Sequence, residues 1–138
     1  MELVKASLTH LGNMESFTAL WNPERYTLSR RSRVAAPDVL GRSVSPVQLT
    51  CGGVEEFTTD LLLDSSRSDP GARDLRSLVD KLESWMDPPG PGALPERLLF
   101  SWGNFRFRGI LVSLDQVWVR FDPDGTPVRG WLRLRLRR

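Results

Sequence analysis

A chain of 138 residues with 40 % apolar and 26 % charged residues has the size and make-up of one globular domain, and no run approaches the roughly 18 apolar residues of a membrane-crossing helix. The lone cysteine, Cys51, excludes an intrachain disulfide and is expected to be a small buried hydrophobe, while the start MELVKASLTH lacks the apolar centre of a secretory signal. Formal net charge is only +2, yet from Arg97 onward nine arginines face three aspartates, which leaves residues 1–96 net negative; such asymmetry predicts a positive surface that meets something negative, another copy of the chain included.

Most of the chain alternates with period two, as half-buried strands do. LVKASL (3–8) and ESFTALW (15–21) are expected strands, the second with Phe17, Ala19 and Trp21 on one face, and Asn22-Pro23-Glu24 breaks the run. RYTLSRRSR (25–33) resumes it, with Arg25, Thr27, Ser29, Arg31 and Arg33 on one polar face. Residues 34–46 hold two prolines and a glycine and are expected to form a loop suited to contacts. VEEFTTDLLLD (54–64) is a strand with Phe57, Thr59, Leu61 and Leu63 facing one way. The period then changes. Leu75, Leu78, Val79, Leu82, Trp85 and Met86 form one stripe, predicting a helix around 73–86 that starts near Asp69-Pro70 and stops at Pro88-Pro89.

DPPGPGALP (87–95) is a stiff linker by composition. RLLFSW turns at Gly103-Asn104 into FRFRGILVSL, a two-residue hairpin signal. Gly109 is expected at a bulge or bend, because the inward set shifts from Phe105 and Phe107 to Ile110, Val112 and Leu114. QVWVRF continues with Val117, Val119 and Phe121, and DPDGT is a tight turn built on Gly125. The final strand alternates Leu132, Leu134 and Leu136 with Arg133, Arg135 and Arg137. The fold class expected from this pattern is mainly β with one helix (α+β). Seven or eight strands would curl into a small barrel or sandwich, with the helix flanking one end.

No catalytic constellation is visible. His10 is the only histidine, expected on the surface just after the first strand; one His and one Cys 41 positions apart make no metal site. Asp122 and Asp124 belong to a turn, Gly52-Gly53 is too short to cradle a phosphate, and neither GxxxxGK[ST] nor GxGxxG occurs. The expectation is therefore no enzyme, no cofactor and no metal.

Three blocks bear a family resemblance. FTALWNPERYTLSR (17–30), through Asn22, Pro23 and Tyr26, resembles the opening of the tube proteins of bacterial contractile injection systems. GGVEEFTTDLLLDSS (52–66) and the helix after it resemble that family's central strand and helix. LPERLLFSWGNFRFRGILVSLDQVWVRFDPDGTPVRGWLRLRL (94–136), with its FSWGxFxFxG and FxPDGTPVR elements, is the strongest match. The resemblance implies a small β-barrel with one helix that assembles into a six-membered ring within a phage-tail-like particle. It is similar in particular to the baseplate adaptor, or tube initiator, that joins the spike below to the inner-tube protein above. Longer members carry a C-terminal LysM module; residues 1–138 are expected to be the tube-like domain alone. The implied setting is the bacterial cytoplasm during assembly, then a cytoplasmic, membrane-anchored or released particle.

The arginine tail can now be weighed. Its leucines belong to the core and its arginines to a solvated or interface ladder. Arg129, Arg133, Arg135 and Arg137, with Arg31 and Arg33, are the candidate assembly residues, lying at a subunit or ring interface or lining the lumen and pairing with carboxylates across it. The helix face with Arg76, Asp80, Lys81 and Glu83 is a second candidate. Two alternatives stay open. The chain could be the main inner-tube subunit of the same machine. In a different class, it could be a basic nucleic-acid-binding barrel, although a nucleic-acid reader interleaves basic and aromatic residues on one face, and here leucines and arginines segregate.

Overall fold

The two longest stretches of strict alternation, 54–64 and 127–137, can hide their apolar faces only by pairing and then packing on something else, and the structure is built around that pair. The computed structural model describes residues 2–32, 34–35, 48–49, 53–68 and 74–138. Its elements are β1 (Ser7–His10), β2 (Ser16–Thr18), β3 (Tyr26–Arg31), β4 (Val34–Ala35), β5 (Gln48–Leu49), β6 (Val54–Asp64), α1 (Arg76–Ser84), β7 (Leu98–Trp102), β8 (Phe105–Phe121) and β9 (Pro127–Arg137). Seven strands form one antiparallel sheet in the order β2-β1-β7-β8-β9-β6-β3.

The sheet is folded on itself at β8. Residues 105–109 of this strand pair with β7, whereas residues from Ile110 onward pair with β9. Gly109 sits at the change of partner, where a Cβ would lie 2.8 Å from the Arg137 carbonyl oxygen; the crossing backbones leave room only for glycine. The fold brings Phe57 of β6 to within 4.5 Å of Phe100 on β7 and 5.5 Å of Phe107 on β8, centroid to centroid. Leu61 and Leu63 from β6, Leu132, Leu134 and Leu136 from β9, and Leu8 from β1 complete a continuous core. Burial of such side chains is worth roughly 1.5–3 kcal/mol each.

The expected barrel does not close. β2 and β3 are the two ends of the sheet and do not pair with each other. The Asn22 amide bonds the backbone at Ala6 and Val4, at 2.9 Å in each case, in the place a strand partner would take. Pro23 follows and has no N–H to give. Tyr26 fills part of the seam instead, stacked on Phe105 at 4.5 Å.

Several other expectations change. Residues 3–6 are extended but outside any strand; the first strand is Ser7–His10, so His10 ends it rather than following it. His10 is half-buried, packs 5.5 Å from the Trp85 ring, and accepts the Asn13 N–H on Nδ1. Within the expected loop, Val34–Ala35 pairs with Gln48–Leu49, while 36–47 and Cys51 lie outside the described residues. The inward set of β8 is Phe107, Gly109 and Leu111, then Leu114 and Trp118. The extra residue is thus at Val112, where the register breaks between Leu111 and Ser113, and not at Gly109, which marks the bend. Ile110 and Val112 consequently do not belong to the inward set, and Val117, Val119 and Phe121 are more than half exposed.

The helix is Arg76–Ser84 rather than 73–86. At its start the Asp74 carboxylate accepts the Arg76 N–H at 3.0 Å, and at its end Trp85, Met86 and Asp87 form tighter three-residue turns; the expected start at Asp69-Pro70 lies outside the described residues. All six stripe residues, Leu75, Leu78, Val79, Leu82, Trp85 and Met86, pack on the core. Nine residues are too few for an isolated helix, so this burial holds it. The Gly103-Asn104 hairpin and the Asp122–Gly125 turn form as expected, with φ of 60° at Gly103 and 89° at Gly125.

Candidate assembly surface

Alternation along β9 turns Leu132, Leu134 and Leu136 inward to complete burial and turns Arg133, Arg135 and Arg137 out. The neighbouring strand answers in kind. On β6 the residues between the buried Phe57, Thr59, Leu61 and Leu63 are Glu56, Thr58, Asp60, Leu62 and Asp64. Register sets Arg137 opposite Glu56, Arg133 opposite Asp60 and Arg129 opposite Asp64.

The contacts follow the register. Arg133 grips Asp60 with two bonds, Nε to Oδ1 at 2.8 Å and Nη2 to Oδ2 at 3.3 Å. Arg137 donates Nε and Nη2 to Glu56 Oε1, at 3.0 and 2.6 Å. Arg135 faces Thr58 and reaches diagonally to Glu56 at 3.9 Å, and Arg129 stands 3.9 Å from Asp64. Arg138 and Arg30 converge on Glu55, and Arg138 also lies over the Phe107 ring at 4.5 Å. The hydrogen bonds from Arg137 hold the Glu56 carboxyl below its usual range, those from Arg133 do the same for Asp60, and the Ser66 hydroxyl and N–H do so for Asp64. Arg133 is held correspondingly above the usual guanidinium range by Asp60.

Register extends the same outer face in both directions. Arg31, at the end of β3, lies opposite Val54, and its charge reaches Glu56. On the other side, Asp115 of β8 lies opposite Arg133, and Arg120 opposite Arg129. The face therefore gathers Arg31, Arg129, Arg133, Arg135 and Arg137, as the sequence placed them, together with Arg120; Arg33 lies outside the described residues. Glu56, Asp60, Asp64 and Asp115 oppose them. Sequence reasoning sought carboxylates for these arginines on a neighbour and missed those on β6. The signal was present, since Glu56, Asp60 and Asp64 occupy the outward parity of a strand whose inward parity had been read correctly. The same parity puts Trp131 among the arginines, between Leu62 and Val117, where it is partly exposed.

Among the described residues, the four-stranded part of the sheet, β8-β9-β6-β3, has a free backbone edge on each side: β3 Tyr26–Arg31, paired only with β6, and β8 beyond Ile110, paired only with β9. Leu28 lies along the first edge, and Val117, Val119 and Phe121 along the second, all more than half exposed. Among the described residues no helix is long and apolar enough to cross a membrane, and no group of three or more His, Cys, Asp or Glu side chains could hold a metal ion. No protein of curated function matches the sequence. The model of the contractile injection system tube protein family matches residues 3–138, and the chain belongs to that family.

Proposed function

We propose that residues 1–138 are one tube-like domain whose copies close into a ring, with six subunits, at the junction between spike and inner tube. The ring is the baseplate adaptor on which tube polymerisation starts, and it travels with the tube when the sheath contracts. Its action is mechanical, with no catalysis and no cofactor. It assembles in the bacterial cytoplasm from copies of itself, the spike protein, the inner-tube protein and other baseplate components; in the assembled state before firing it engages no membrane, and nucleic acid is not among its partners.

The observation that supports this reading is the pair of free edges on the β8-β9-β6-β3 sheet. A free strand edge offers unpaired N–H and C=O groups and invites another chain. Two different edges on opposite sides of one sheet favour head-to-tail contacts, which close into a ring when the rotation permits. The outer arginine face would then lie along the interface or the lumen. The FSWGNFRFRG block (100–109) favours the adaptor over the main tube subunit, by resemblance alone.

Native mass spectrometry with electron-microscopy class averages tests the proposal. Six-fold rings, formed by the chain alone or once spike or tube protein is added, are the expected result. A monomer indifferent to both partners would remove it. Steeply salt-dependent binding of single-stranded DNA by that monomer would favour the basic barrel instead.

A further inference from the structure

The carboxylates of β6 neutralise much of the β9 ladder within the chain, so the arginines left without a carboxylate deserve the search for a partner. Two of them, Arg97 and Arg108, line a cleft of about 620 Å³ at the bend of β8, together with Arg137 and Arg138, with Val54, Ile110 and Val112 as its apolar wall. No ion pair or side-chain hydrogen bond engages Arg97 or Arg108 among the described residues, whereas Arg137 and Arg138 are held by Glu56 and Glu55. The cleft is therefore positive in excess, and half of its guanidinium groups are already fixed in place.

The complementary surface is on the same chain, and no ion pair joins it to the cleft among the described residues. On α1, Arg76 is occupied by Asp74 and Lys81 by Glu15. What remains outward is acidic: Asp80 and Glu83, at i and i+3 on the helix, and Asp87 in the turns just past its end, all exposed. The charge of Arg76 reaches Asp80, but no salt bridge within 4 Å engages any of the three among the described residues; the one side-chain bond made there is from Gln116 Nε2 to Glu83, at 2.6 Å. That bond fixes the stripe's position.

We propose that the basic cleft of one copy receives the acidic α1 stripe of the next, so that Arg97 and Arg108 meet Asp80 and Glu83 across a head-to-tail junction. The inference rests on the ring reading above and assigns it a charge pair. Like-charge repulsion disfavours cleft-to-cleft and stripe-to-stripe contacts, so the two unlike patches pair with each other.

The test is charge reversal on the full chain, read by native mass spectrometry and sedimentation at low and high salt. Arg97→Glu/Arg108→Glu and Asp80→Lys/Glu83→Lys should each weaken self-association about tenfold or more, with unchanged circular dichroism. Mixed one to one, the two variants should reassemble with alternating composition, because one junction is then native and the other is its mirror in charge. Assembly of either variant alone at the wild-type level, or failure of the folded mixture to reassemble, overturns the proposal while leaving the ring intact. Loss of heparin binding with self-association unchanged would show that the cleft takes a polyanion and would overturn it too. If the wild-type chain fails to assemble even with spike and tube protein, the ring reading falls, and this inference falls with it.

Discussion

Replacing Asn22 with alanine tests whether one side chain does the work of a missing strand partner. The amide oxygen accepts the Ala6 N–H, and the amide nitrogen donates to the Val4 carbonyl, each at 2.9 Å. The two bonds differ in consequence. Val4 keeps a second donor, the Trp102 indole N–H at 3.1 Å, and lies in reach of water. Ala6 is fully buried, so its N–H loses its only side-chain acceptor and gains no solvent. An orphaned buried donor costs roughly 1–3 kcal/mol and a replaceable bond about 0.5–1 kcal/mol, which places Asn22→Ala about 2–3 kcal/mol below wild type. For a domain of this size that is a fall in Tm of roughly 6–15 °C. Urea unfolding followed by tryptophan fluorescence measures the difference, and amide exchange locates it. Protection should collapse at Ala6 while a residue of the central strand, such as Leu134, follows only the global change. A loss under about 0.5 kcal/mol, or unchanged protection at Ala6, would refute the reasoning.

Changing Arg133, Arg135 and Arg137 together to serine should weaken ring or stack formation, read by class averages, and leave a folded monomer, because exposed ion pairs contribute little to stability; rings equal to wild type would remove this face from the assembly. Gly130→Ala should destabilise by about 1–3 kcal/mol in chemical denaturation, since the new Cβ would sit 2.4 Å from Trp118 Cε3 and 2.7 Å from the Val117 carbonyl oxygen, whereas Gly90→Ala meets nothing and serves as the control. Acid should erode stability through the β6 carboxylates. Their folded pKa values are depressed, so the stabilisation is complete above the ordinary values, 3.8 for Asp and 4.5 for Glu, and is lost as pH falls below them through the lower folded values. Urea titrations from pH 7 to about pH 2.5 should show that limb, and Glu56→Gln/Asp60→Asn should flatten it.

How legible each part was depended on whether local alternation or long-range pairing decided it. The leucine and phenylalanine parities of β6 and β9, the α1 stripe and the Gly103-Asn104 turn could be read because each is set within a few residues. In β8 the alternation misled. Val117, Val119 and Phe121 look like an inward set, but the extra residue at Val112 reverses parity, and only the β9 register reveals where it lies. The barrel expectation failed for a related reason. Closure depends on whether β2 and β3, the two ends of the sheet, meet, and local alternation does not encode a pairing between them. Of the assembly surface, the arginines were visible and their partners were not, since pairing Arg133 with Asp60 spans 73 positions.

The order in which the ribosome delivers these strands has a consequence of its own. β9 is synthesised after every other strand of the sheet, yet it lies between β6 and β8 and supplies Leu132, Leu134 and Leu136 to the core. Until it emerges, β6 and the second half of β8 have no common neighbour, and Phe57 and Leu61 face an unfinished layer. The nascent polypeptide therefore cannot display a finished outer face early: the ladder of Arg133, Arg135 and Arg137 against the β6 carboxylates is complete only after translation has passed Arg137.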